Sequence, residues 1–126
     1  MKKSAETNIT TIEKIQMRII QLKELYEMYD ISNAQDLEDI YPCHLAVTQL
    51  ITVLYQCRQR LTDEALAKVP TFSKIKLRVE RNIASHDYDS LDFKIIYERV
   101  CKLLSAEVTG ELEVVKDDLK RALSSD

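Results

Sequence analysis

The stretch IEKIQMRIIQLKELYEMY, Ile12 to Tyr29, decides the fold class. Ile12, Ile15, Ile19, Leu22, Tyr26 and Tyr29 follow one another at spacings of 3, 4, 3, 4 and 3 residues. On an α-helix that spacing makes one apolar stripe, with Glu13, Lys14, Lys23, Glu24 and Glu27 mostly off it. The pattern predicts a helix from near Glu6 to near Asp30, where Ser32-Asn33 interrupts it. One stripe of this length suits packing in an antiparallel bundle.

The rest of the chain repeats the theme. Residues 34 to 41 read as a short helical turn, and Pro42 fits the first turn of a second long helix, where its missing N–H is no loss. Val47, Ile51, Leu54, Cys57 and Leu61 make an apolar row on that helix, widened by Leu50 and Val53, as expected of a central helix with several neighbours. Thr62 to Thr71, with Pro70, serves as connector. A third helix is expected from about Ser73 to Ser85, carrying Ile75, Val79 and Ile83 at spacings of four. Asp87-Tyr88-Asp89-Ser90 then ends it and caps a fourth helix, about Leu91 to Val108, burying Phe93, Ile96, Val100 and Leu103. Gly110 is read as the break before a final amphipathic stretch, Leu112 to Leu123.

Composition agrees. The single glycine and two prolines in 126 residues disfavour a turn-rich β fold, and 45% hydrophobic against 31% charged residues allow one core in one domain, residues 1 to 126. The expectation is an all-α, antiparallel up-and-down bundle of four to five helices. The three cysteines, Cys43, Cys57 and Cys101, are widely spaced and odd in number, and read as buried thiols in a reducing cytoplasm. Met1-Lys2-Lys3 leads into polar residues, not the apolar core of a signal peptide. No apolar run reaches the roughly 18 residues of a membrane span, so a cytoplasmic protein without membrane contact is expected.

Net charge is −3, so any nucleic-acid surface must be local. Lys74, Lys76, Arg78 and Arg81 oppose the single anion Glu80 and form the chain's concentrated positive segment. If the third helix is regular, Lys74, Arg78, Arg81 and Ser85 fall within about 60° of one another on its wheel. The same charges also suit a solvated helix face. The segment runs into Arg81-Asn82-x3-His86-x-Tyr88, which stands as RNIASHDY. Histidine titrates near neutrality and can exchange protons, and arginine presents a fixed planar charge to phosphate. On an ideal helix, however, Arg81 and His86 lie about 140° apart, with His86 on the side of Ile75, Val79 and Ile83, as a core histidine would be. Tyr88, in an acidic loop, is either accessible or packed over the helix end. His44, after Pro42-Cys43, lacks further ligands at zinc spacing and reads as a capping residue. Glycine-rich phosphate loops, nucleophile elbows and H-E-x-x-H motifs are lacking, and no cofactor or metal is implied.

RNIASHDY, together with the helical order, resembles the HEPN superfamily, specifically its HepT-like toxins. The resemblance implies a metal-independent endoribonuclease toxin whose two protomers bring both Arg–His sets to one groove. Arg81 would stabilise phosphate charge, His86 would act as acid or base, and Asn82 would orient His86 or the phosphate. Lys74, Arg78 and Ser85 would contact RNA. It also implies a nucleotidyltransferase antitoxin, with Tyr88 as the acceptor of AMP. One departure stands out. Many members carry an acidic or Asn–Glu pair on the second helix, where this chain has Val47-Thr48-Gln49-Leu50 and an uncharged polar stripe of Gln49, Thr52 and Gln56. The alternative is a non-catalytic helical module that binds a nucleotide or substrate for a partner nucleotidyltransferase; a purely structural helical protein would leave the motif as coincidence.

Overall fold

In a computed structural model, which describes residues 2–78 and 92–125, the chain is an all-helical bundle without strands among the described residues. Four longer helices carry it: α1 (Lys2–Met28), α3 (Tyr41–Arg58), α6 (Phe93–Leu103) and α7 (Ala106–Ser124). Three short ones link them: α2 (Ala34–Asp39), α4 (Asp63–Ala67) and α5 (Pro70–Lys74).

The apolar stripe of α1 is the spine. Ile12, Ile15 and Leu22 are fully buried and Ile19 and Tyr26 nearly so, while the charged residues off the stripe are exposed. Each such aliphatic side chain contributes about 1.5–3 kcal/mol on burial. α1 packs between α3 and α7. Asn8, near its start, exchanges two hydrogen bonds with Thr62, just beyond the end of α3. On the other flank Gln16 bonds Glu113 and Lys116, and Glu13 pairs with Lys120. Both neighbours therefore run antiparallel to α1.

α1 stops by a left-handed cap. Asp30 has φ 52°, the Asp30 N–H reaches the Glu27 carbonyl, and the Ile31 N–H reaches the Tyr26 carbonyl at 2.9 Å. This is the Schellman arrangement, with aspartate in the place glycine usually takes and Ile31 buried beyond it. α2 begins on the Asn33 side chain, which accepts the Asp36 N–H. Its end is held from outside. The Nδ1 of His44 lies 3.2 Å from the Leu37 carbonyl and 3.1 Å from that of Glu38, and because carbonyls only accept, Nδ1 carries the proton. His44 is thus a capping residue, but for the end of α2 and not for its own helix start. Its ring also tilts against Phe93, 4.7 Å between centroids, joining α3 to α6.

Three expectations need correction. The helix expected to break at Gly110 breaks instead at Leu104-Ser105, where the Ser105 hydroxyl accepts the Val108 N–H and starts α7; Gly110 lies inside α7. The cap of α6 is Asp92, which accepts from the Lys94 and Ile95 N–H groups. Cys43 and Cys57 are buried, but Cys101 is exposed, because it lies one residue past Val100 and off the buried row. Burial pushes the Cys43 thiol above its usual pKa. No helix among the described residues is long and apolar enough to cross a membrane.

Candidate functional site

Arg81, Asn82, Ser85, His86 and Tyr88 lie outside the described residues. The chain leading to them is described as far as Arg78, and the chain leaving them from Asp92.

The approach differs from expectation. α5 ends at Lys74, so the helix anticipated from Ser73 to Ser85 does not run on through residues 75–78, and the rest of its span lies outside the described residues. Ile75 is extended, with ψ 128°, and residues 76–78 are not helical. Burial then alternates: Ile75 and Leu77 are buried, Lys76 and Arg78 exposed. The period is two, that of an extended chain, so the helical stripe expected to join Lys74 to Arg78 does not form. Lys74, Lys76 and Arg78 are nonetheless all exposed.

Contacts distant in sequence produce this geometry. Arg58, at the end of α3, donates from Nη1 to the Phe72 carbonyl at 2.9 Å and to the Ile75 carbonyl at 2.7 Å. Its guanidinium also lies 5.5 Å from the centre of the Phe72 ring. The Ile75 carbonyl thus meets a side-chain donor where a longer helix would bring it a later amide. Partial burial lowers the Arg58 pKa from its very high ordinary value. At the other end of α5, the Glu111 carboxylate accepts from the Thr71 N–H at 3.0–3.1 Å and from the Phe72 N–H at 3.1 Å. Desolvation alone would raise its pKa, but the Thr71 and Phe72 hydrogen bonds and the nearby Lys74 charge outweigh it and hold the pKa below the usual carboxylate range. A five-residue helix too short to stand alone is clamped at both ends, by α3 and by α7.

Beside α5 a cleft of ≈ 570 Å³ is lined by Lys74 and Ile75 on one side and by Lys102, Ser105 and Glu107 on the other. Lys102 joins Lys74 there; no sequence spacing could have found it, because its neighbour lies 28 positions earlier. The cleft is therefore of mixed charge.

On α3, Gln49, Thr52 and Gln56 are exposed, while Thr48 is buried. The Thr48 hydroxyl donates to the His44 carbonyl at 2.7 Å, and that of Thr52 to the Thr48 carbonyl at 3.0 Å. Both hydroxyls are engaged by their own helix, so the stripe presents its two glutamine amides outward. No protein-family model, curated protein or solved structure matches the chain.

Proposed function

We propose that the chain is a metal-independent endoribonuclease toxin of the HEPN, HepT-like kind, acting as a homodimer and restrained by a nucleotidyltransferase antitoxin. The observation that carries this is RNIASHDY, Arg81 to Tyr88, at the end of the exposed cationic run Lys74, Lys76 and Arg78.

The chemistry follows from those residue types. A ribose 2′-hydroxyl attacks its own phosphate; the P–O5′ bond breaks, leaving a 2′,3′-cyclic phosphate and a free 5′-hydroxyl. One proton must leave the attacking oxygen and one must reach the departing oxygen. His86 suits either transfer, and a pair of protomers supplies both. Arg81 stabilises the charge that builds on the phosphorane oxygens. Asn82 orients His86 or the phosphate. Lys74 and Arg78, with Ser85, guide the RNA backbone. AMP placed on Tyr88 by the antitoxin would set a phosphate where substrate phosphate must sit.

A specific observation supports a second possibility. The exposed stripe on α3 is uncharged, Gln49, Thr52 and Gln56, where many HEPN members carry an acidic or Asn–Glu pair. A non-catalytic module that binds nucleotide or substrate for a partner nucleotidyltransferase needs no such pair.

Expression of the wild type beside His86→Ala separates the two, with folding of both checked by circular dichroism. Growth arrest with RNA breakdown, lost in a folded His86→Ala protein, supports the nuclease. Intact RNA and normal growth with both proteins favour the binding module.

A further inference from the structure

The outer face of α1 is unusually apolar for a solvent-facing helix. Met17, Ile20 and Met28 are 56%, 56% and 72% exposed, and they are half of the six large hydrophobic side chains exposed among the described residues. Beside them, between α1 and α3, runs a groove of ≈ 520 Å³ to which Leu25, Met28, Leu50 and Val53 contribute apolar walls. Leu25, Leu50 and Val53 are only partly covered by the bundle's own core. A part-covered apolar groove with an exposed methionine on its wall marks a surface that another molecule covers.

The charges around the groove say which molecule. Arg18 and Glu24, both at its edge, lie three residues before and three residues after Gln21, which also lines it. In a pair of antiparallel α1 helices related by a two-fold axis at Gln21, each Arg18 faces Glu24 of the other copy. The same operation sets Met17 against Leu25, and the Lys14 stem against Met28. At the axis the two Gln21 amides can donate to and accept from each other, since an amide carries both functions. The patch is self-complementary in charge as well as apolar, as an isologous interface requires.

We infer that the α1–α3 groove is the site at which a second copy of this chain docks, α1 against α1 in antiparallel register about Gln21. The surface goes beyond the nuclease proposal, which calls for two chains without saying by which face they meet. Its test reads mass and not RNA cleavage: a dimer indifferent to the substitutions below overturns this face alone, whereas a monomer at every concentration overturns the paired nuclease as well.

Sedimentation equilibrium of the full chain should show a monomer–dimer equilibrium between about 1 μM and 1 mM. Arg18→Glu and Glu24→Arg should each weaken the dimer about tenfold or more, and Met28→Lys should do the same by setting an ammonium against Lys14 of the other copy. Mixing the two single charge variants brings opposite charges together at both ends of the interface. That mixture, like the Arg18→Glu/Glu24→Arg double variant, should associate within about threefold of the wild type. Circular dichroism confirms that each variant stays helical; if one charge variant does not, Met28→Lys carries the test, the side chain at that position being largely in solvent. A wild type that stays monomeric at every concentration overturns the inference. So does a dimer indifferent to these substitutions, or charge variants that mixing fails to rescue.

Discussion

Arg58 binds the Ile75 carbonyl at 2.7 Å across 17 residues of chain, and the same nitrogen holds the Phe72 carbonyl. The end of α3 thus sets the direction in which the chain departs toward Arg81. Arg58→Ala should cost about 2–3 kcal/mol, since two charge-assisted bonds are lost and the Ile75 carbonyl loses its side-chain donor, while the Phe72 carbonyl keeps the Ile75 N–H. Urea denaturation measures it. Arg58→Lys should recover only part, because an ammonium lacks the planar fork and stacks less well on Phe72. Full stability in Arg58→Ala would mean that the clamp is idle.

Leu77 and Lys76 test the period-two segment directly. Leu77→Ala removes a fully buried side chain and should cost about 2–5 kcal/mol, whereas the exposed Lys76→Ala should fall within about 0.5 kcal/mol of the wild type. Equal, small effects at both positions would contradict an extended segment packed on the core.

The Tyr26 hydroxyl is buried with no hydrogen-bond partner among the described residues, its ring stacked on Tyr97 at 5.8 Å between centroids. Tyr26→Phe removes an unsatisfied group and should be neutral or stabilising by up to about 1 kcal/mol. Burial, then the nearby Cys101, Tyr97 and Cys43, raise the Tyr26 pKa far above its ordinary value of 10.0. In the unfolded chain Tyr26 ionises near 10 while in the folded one it stays protonated, so stability falls as pH rises past that point. Tyr26→Phe should lessen that alkaline fall, which thermal unfolding between pH 8 and about 11 would reveal. An undiminished fall would show that Tyr26 is not its source.

If the proposed nuclease is right, the Lys74→Ala/Arg78→Ala variant should bind RNA more weakly at low salt. Its plot of log affinity against log salt should be shallower by about 1.4, the counterion release of two phosphate contacts on a single strand. Cleavage of RNA already bound should continue. An unchanged slope would remove these residues from the RNA path.

Much of the bundle could be read from apolar spacing. The rows on α1 and α3, the turn at α2 and the buried face of α6 all follow intervals of three and four, and the structure buries nearly every residue on them. Local chemistry hidden behind a stronger cue misled twice. Gly110 looks like a helix stop, yet Ser105 with Glu107 after it is the better start signal, and the glycine is tolerated mid-helix in open space. Ile75, Val79 and Ile83 fit a helix, but Ile75-Lys76-Leu77-Arg78-Val79 also alternates strictly. The choice between those periods lies in Arg58 and Glu111, far away in sequence, and no window on the segment contains either. Lys102 beside Lys74 was beyond reach for the same reason.

The antiparallel contacts of α1 also fix an order of events during synthesis. Gln16 meets Glu113, and Glu13 meets Lys120, so one flank of α1 is covered by chain that follows it by 97 to 107 residues. Until α7 has left the ribosome, α1 can rest on α3 and, through Tyr26 on Tyr97, on α6, while the flank that meets α7 stays bare. A growing chain therefore keeps that flank of α1 open to other apolar surfaces until α7 follows.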